Sequence, residues 1–453
     1  MKVSRISAWL GVGVLLVGTV ARGDSPSDMT FALTGDSIIA RRLSTLRAPG
    51  VDAMWQTIRE ADVAFTNFET LVHDFTMPGE ARSGGTYMGS PAYVLEELEW
   101  AGFDVVSLAN NHTFDWGLEG MRQTVAALAK SKLVASGVGE NLAFARAPAY
   151  FDTPKGRVAL LSCASSFTPA SVAGPQRSDI RGRPGLNPLR HELTYTVDAG
   201  TFATLQKLRL GVDMNEQAAA AKQMTYLDAI WTVGDEVGRS TRVNPQDLAD
   251  MIAAVKNARQ QSDWVMVAVH AHEAAIPGDR ETPADFVVEF ARAMIDAGAD
   301  LVVGHGPHVM RGIEIYEGKP IFYSLANFIF ENDLMPFQAP ENYLKEGLGP
   351  DAQVSEYFSS RSKNDTVSFP SIQGYWESVY AEAVFAADRS LKEIRLHPVE
   401  LGFRQPRIKR GQPYPASPDT GRRIIEGVAR LSEPFGVAVA YENGVGIIRP
   451  GAQ

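Results

Sequence analysis

The chain has 453 residues and a formal net charge of −10, with 43 lysines and arginines against 53 aspartates and glutamates. The length leaves room for two or three domains of roughly 100 to 200 residues and so for a large core. Composition is that of an ordinary soluble globular protein. The acidic balance, without any basic stripe, excludes nucleic acid as a partner, because phosphate binding draws its strength from lysine and arginine clusters.

The first 23 residues read as a secretory signal: basic residues at Lys2 and Arg5, the apolar run Ala8–Ala21, then Ala21-Arg22-Gly23. The run is shorter than the roughly 20 residues of a membrane span. An exported protein is expected, periplasmic, secreted or associated with the cell envelope. The single cysteine, Cys163, lies in an apolar stretch, so no internal disulfide is possible and a buried, inert thiol is expected.

After the signal, strand-like runs alternate with helix-like ones. Strands are expected at Met29–Thr34, Ala61–Thr66, Asp104–Leu108, Arg157–Ser162, Trp264–His270 and Leu301–Val303, and helices at Tyr93–Ala101, Leu118–Ser131, Pro245–Gln261 and Pro283–Gly298. This rhythm implies an α/β fold with a mostly parallel sheet covered on both faces. Residues 165–244 break it with Pro and Gly punctuation and a polar helical piece expected at Glu216–Gly234, which reads as an insertion, a lid over the site. Further on, Tyr375–Phe385 and Lys392–Pro398 read as a hairpin across Asp388-Arg389-Ser390. A C-terminal extension, 401–453, carries a helix at Asp419–Leu431 and a strand at Val437–Tyr441.

The polar residues gather just past the strands, where ligands bind in open parallel sheets. Five of the eight histidines, His112, His270, His272, His305 and His308, fall there beside Asp36, Glu69 and Asn111. Imidazole with carboxylate or amide oxygen is a ligand set for zinc, manganese or iron, and the inventory suffices for one divalent ion or two. His270 and His272 alternate along a strand end and project to one side. In Gly304-His305-Gly306-Pro307-His308 small residues let the backbone turn while two imidazoles enter one cleft. Each element also has a plain structural reading: Asp36 as a helix cap, Asn110-Asn111-His112 as a turn. Arg177, Arg181, Arg183 and Arg190 cluster in the insertion, either as a solvated loop or as a grip on carboxylate or phosphate. Asn110 and Asn327 are further substrate-binding candidates. Tyr375 and Trp376 suit core packing better than a groove.

Six segments together, Thr34-Gly35-Asp36, Thr66-Asn67-Phe68-Glu69-Thr70, Ser107-Leu108-Ala109-Asn110-Asn111-His112 with Asp115 and Gly117, Val269-His270, Gly298 to Val309, and Ile321 to Phe328, resemble the CapA family in order and spacing. The resemblance runs from about Met29 to Phe330. It implies a metallophosphoesterase-like layered α/β sandwich, here residues 24–400, and a role in the synthesis, export or surface attachment of poly-γ-glutamate capsule. It implies Asp36, Glu69, Asn111, His270 and His305 or His308 as metal ligands, with His112, beside Asn111, as proton donor. It also implies an anionic polymer such as poly-γ-glutamate and a membrane-bound synthase complex as partners. Three departures stand out: Asp36-Ser37-Ile38 replaces the Asp-x-His pair of metallophosphoesterases, Gly306 replaces a polar residue, and Ala326 replaces glycine. The expected activity is a metal-dependent hydrolase cutting a γ-glutamyl amide; a phosphoesterase and a non-catalytic polymer- or synthase-binding scaffold are the alternatives.

Overall fold

The computed structural model describes residues 28–210 and 221–451. The signal segment 1–23 lies outside the described residues.

Two sheets stack face to face. In the first, the parallel strands Met29–Ile38, Val63–Phe68, Val105–Ser107 and Val134–Ser136 lie side by side. On its other edge Met29–Ile38 pairs antiparallel with Glu377–Phe385, and Asn327–Phe330 joins it in parallel beyond Gly35. In the second sheet the parallel strands are Gly156–Ala164, Trp264–His270, Leu301–His305 and Lys319–Phe322, with antiparallel edges at Ala149–Thr153 and Ile313–Tyr316. Side chains alternate along each strand, which splits the core into three. Phe31, Leu33, Phe65 and Val105 meet Leu160, Met266, Ala268 and Val303 between the sheets. Ala32, Ala64 and Val106 face the helices Val51–Glu60 and Tyr93–Ala101 outside the first sheet. Leu161, Val265, Val267 and Val302 face Pro245–Arg259 and Asp285–Asp296 outside the second. Phe31 joins the layers, with ring centroids 5.7 Å from Trp264 of the second sheet and 5.7 Å from Phe385 of its own.

The α/β class and the strand–helix alternation are observed, but not as one sheet covered on both faces: the parallel strands divide between two stacked sheets, each covered by helices on its outer face. The expected helix Glu216–Gly234 is corrected. Gln223–Tyr226 and Ala229–Val233 form strands, part of a four-stranded sheet with His191–Val197 and Gly238–Val243. The stretch is polar, but Met224, Ile230 and Trp231 are spaced to line strand faces; residues 211–220 lie outside the described residues. The hairpin Glu377–Phe385 with Leu391–Glu400 is present. Beyond it, Pro418–Ser432 sends Ile424, Ile425 and Val428 into the core between the sheets, and Val445–Ile448 extends the first sheet. Cys163 is buried, and burial pushes its thiol up.

The chain is tightest where Met29–Ile38 passes Asn327–Phe330. A Cβ on Gly35 would stand 1.8 Å from the Ala326 carbonyl oxygen, which accepts the Asp36 amide at 2.9 Å. Ala326 itself has φ 63°, the left-handed region in which a side chain is strained. Gly35→Ala should therefore cost several kcal/mol by chemical denaturation, as expected of a forced backbone shift. Ala326→Gly should stay within about 1 kcal/mol of wild type, relief of strain offsetting lost chain stiffness. Equal losses in both variants would contradict this reading.

Asp104 accepts a hydrogen bond from the Ala64 amide at 2.9 Å, yet burial lifts its carboxyl from 3.8 to about 6. A carboxyl raised in the folded state binds its proton more tightly there, so its contribution is present below pH 3.8 and lost as pH rises through about 6. Urea unfolding at pH 4 and pH 7 should show wild type losing of order 1–3 kcal/mol more than Asp104→Asn across that window. Parallel behaviour of the two proteins would remove Asp104 from the account.

Candidate metal centre

The parallel strands of both sheets end at one edge, and register aligns their last residues. Asp36 lies opposite Asn67 on one side and Asn327 on the other, while His270 lies opposite His305. Glu69 follows the strand Val63–Phe68, its amide donating to the Ser37 carbonyl at 3.2 Å. Gly306 and Pro307 turn the chain so that His308, at φ 62°, folds back over the strand ends. Strained backbone of this kind persists where the surroundings hold it, often at functional sites.

Three overlapping groups result: Asp36, His270 and His305; Glu69, His270 and His272; Asp36, Glu69 and His308. Within each, the ligand atoms lie within 4.8 Å of one another. Asp36 Oδ1 is 3.8 Å from His305 Nδ1 and 4.0 Å from His270 Nδ1, and Asp36 Oδ2 is 3.3 Å from His308 Nδ1. Glu69 Oε1 is 3.8 Å from Nε2 of His112, of His270 and of His308 alike. It is buried and accepts no hydrogen bond among the described residues. Asn111 Oδ1 is another buried oxygen without a partner among the described residues, its amide nitrogen donating to the Gly84 carbonyl at 3.1 Å. The Glu69 oxygen, with three imidazole nitrogens at 3.8 Å, fits a divalent cation, since buried polar atoms otherwise find partners. Asp36, Glu69, His270, His272, His305 and His308 could hold one ion or two, with Asn111 beside them.

Supporting hydrogen bonds fix the ring orientations. Asn327 Nδ2 donates to the carbonyls of His308 and Tyr375, so its Oδ1 faces His308 Nδ1 at 2.9 Å. An acceptor there puts the proton on Nδ1 and leaves Nε2 free to ligate. Asp115 Oδ2 stands 2.6 Å from His112 Nδ1 while its two oxygens also accept the amides of Gly84 and Met88. That holds the proton of neutral His112 on Nδ1 and turns Nε2 toward Glu69. Asn67 Nδ2 reaches Asp36 Oδ1 at 2.8 Å and His270 Nδ1 at 3.3 Å. Arg311, 1% exposed, gives its guanidinium to the carbonyls of Ala271, His272, Glu273 and Arg280, clasping the segment that carries His272.

Electrostatics agree with a cation site. Burial opposes ionisation of Asp36, but the hydrogen bond from His308 and the nearby His308, His270 and His305 hold its carboxyl well below the usual range. Burial and the charge of Asp36 push Glu69 well above it. Burial, reinforced by neighbouring imidazoles, pushes His270 and His272 well below their ordinary value, and burial takes His305 down to about 4. Neutral imidazole is the form that ligates metal.

The candidates divide in three. Asp36, Glu69, Asn111, His112, His270, His272, His305 and His308 converge. Asn110 and Asn327 lie behind that set rather than facing substrate. Asn110 Nδ2 donates to the Phe68 carbonyl at 3.0 Å and its Oδ1 accepts the His112 amide at 3.1 Å, which ties the two ligand-bearing loops together. Arg181, Arg183 and Arg190 are exposed and do not line the cleft over the cluster. Arg183 donates to the Val172 carbonyl, Arg190 is held by both oxygens of Asp247 at 2.8 and 2.7 Å, and Arg177 pairs with Asp179. The cleft, of about 240 Å³, is lined instead by Asn111, His112, His272 and His308 together with Arg280 and Arg361. Tyr375 also lines it, whereas Trp376 is core and donates to the Phe369 carbonyl. Of the residues without an assigned role, Asp115 stands three after His112, a spacing that signals contact across one turn. Arg280 comes from an irregular loop and Arg361 from the end of the helix Val354–Arg361, and neither has such a signal.

Residues 30–332 match the family model described as bacterial capsule synthesis protein PGA_cap. The chain is 39% identical over 433 residues to the uncharacterized protein y4sH of Sinorhizobium fredii, covering 93% of each. It is 26% identical over 311 residues to the PGA biosynthesis protein CapA of Bacillus subtilis, covering 67% of this chain and 63% of that one. The same identity and length relate it to the capsule biosynthesis protein CapA of Bacillus anthracis, covering 60% of the latter. With most of its length inside that family model, and with CapA proteins among its relatives, the chain belongs to the PGA_cap family of bacterial capsule synthesis proteins.

Proposed function

We propose that this is an exported, metal-dependent hydrolase of metallophosphoesterase-like architecture, cutting γ-glutamyl amide bonds in capsule metabolism alongside a membrane-bound synthase. The observation that carries the metal-site reading is Glu69 Oε1, buried, unpartnered and 3.8 Å from three imidazole nitrogens. The name of the Bacillus subtilis relative, a PGA biosynthesis protein, suggests the polymer, and that of the Bacillus anthracis relative the capsule. A bound divalent ion would supply Lewis-acid polarisation of the scissile carbonyl and an acidified water. The remaining steps fall to the chain. Water oxygen bonds to the carbonyl carbon while His112 Nε2, left unprotonated by the Nδ1 contact with Asp115, takes the water proton; the carbon–nitrogen bond then breaks and His112 Nε2 delivers that proton to the departing amine. Asp115 keeps the His112 ring in place and stabilises its charged form.

The missing Asp-x-His pair bears on metal number. Ile38 points into the apolar core beneath the helices, so the position of that histidine ligand is filled by hydrocarbon. His308, folded back by its left-handed backbone, supplies an imidazole on the same side as Asp36.

With manganese, zinc or iron, the full chain should release glutamate or γ-glutamyl oligomers from poly-γ-glutamate. His112→Ala should lower kcat by about 10²–10⁴-fold with little change in KM. Asp115→Asn should lower kcat by at least about tenfold through the wrong tautomer. Aryl phosphate turnover without polymer cleavage would replace this reading by a phosphoesterase. Metal binding without either activity would leave the polymer-binding scaffold.

A further inference from the structure

The residues lining the cleft include Arg280 and Arg361 beside His112, His272 and His308, and no carboxylate at all, in a chain of net charge −10. Most arginines near the core are spoken for, as in Arg41 with Glu331, Arg146 with Asp247 and Asp250, or Arg410 with Asp333 and Asp365. The two at the cleft differ. The Arg280 side chain makes no hydrogen bond or ion pair among the described residues. It lies with its guanidinium carbon 5.4 Å from the centre of the Tyr375 ring, which also neighbours the His308 imidazole at 5.8 Å and the Phe330 ring at 5.9 Å. One aromatic ring thus separates Arg280 from a candidate metal ligand, and Arg311 fixes its backbone through the Arg280 carbonyl at 2.9 Å. Arg361 is half-buried and anchored at Nη1 by neutral groups only, the hydroxyls of Thr86 and Tyr357, which leaves Nε and Nη2 without an acceptor among the described residues. Thr86 is steadied in turn by Asn332 Oδ1 at 2.9 Å.

We infer that Arg280 and Arg361 form an anion-binding subsite in the cleft above the metal-ligand cluster, taking an oxyanion of the substrate. Two planar guanidiniums held by neutral groups are suited to bidentate contact with carboxylate or phosphate. A cleft walled by low-dielectric protein concentrates their field against the net negative charge of the rest. If the proposed function holds, on which the choice of carboxylate rests, the occupant is the free α-carboxylate that every γ-linked glutamate carries beside its amide bond. Such contacts would place the scissile carbonyl over Glu69 and His112 and discriminate against uncharged amides.

The test is equilibrium binding to the manganese-loaded full chain, using tetra-γ-glutamate, its α-amidated uncharged analogue, and inorganic phosphate. Wild type should bind the tetramer and not the amidated analogue. Arg280→Ala and Arg361→Ala should each raise the Kd roughly tenfold with metal content unchanged, the loss typical of one charge-assisted contact. Arg280→Lys should recover part of it. If phosphate binds and is weakened by the alanine variants while the tetramer does not bind, the subsite stands and the γ-glutamyl reading falls. Alanine variants that bind both anions as wild type does would overturn the subsite. So would loss of manganese in those variants, because the arginines would then be supporting the ligand cluster.

Discussion

Two carboxylates, Asp36 and Glu69, are wholly buried within reach of the same imidazoles. Removing a carboxylate from water is costly unless charge or hydrogen bonds replace the lost solvent. Asp36 is compensated by Asn67, the Gly306 amide and His308. Glu69 has no comparable compensation at Oε1, and its carboxyl is pushed up while that of Asp36 is held down. A cation placed among these groups would satisfy both at once, because the ion's own charge reverses the local preference for neutral forms. The remainder of the architecture reads as the means of holding this arrangement together.

The stacked sheets supply the rigidity. Each candidate ligand stands near or just past the end of a parallel strand, and the strands are locked by apolar side chains on both faces. Register sets Asp36 against Asn67 and His270 against His305, so the spacing of the ligands is inherited from backbone pairing rather than from flexible loops. The close pass of Gly35 against Ala326 brings the last strand of the family-matched region onto Asp36, and with it Asn327, which orients His308. Outer hydrogen bonds from Asp115, Asn327 and Arg311 then fix rings and loops, as second-layer groups do around metals.

Much of this was legible in the sequence because it depends on local pattern. Apolar runs ending in polar residues gave the strands and placed Asp36, Glu69, His112, His270 and His305 at their ends. Periodicity could not show that the strands divide between two sheets, since that choice rests on long-range pairing such as Trp264 against Phe31. The stretch before Gly234 was misread as helical because its charges and alanines masked the alternation that makes Gln223–Tyr226 and Ala229–Val233 strands. Arg181, Arg183 and Arg190 drew attention by clustering, yet nearness in sequence did not bring them to the cleft. Arg280, in a loop, and Arg361, at the end of a helix about 80 residues later, both reach it, a juxtaposition only the fold creates. Asn110 and Asn327 stand beside the cluster, where their hydrogen bonds brace the segments that carry the candidate ligands.

The central claim is that the buried carboxylates and imidazoles form a metal centre. Elemental analysis of the purified full chain, wild type beside a variant carrying both His270→Ala and His305→Ala, tests it most directly. Wild type should carry one or two equivalents of manganese, zinc or iron, and the variant should lose them with the fold retained by circular dichroism. Wild-type protein that holds no divalent metal even after reconstitution would contradict it.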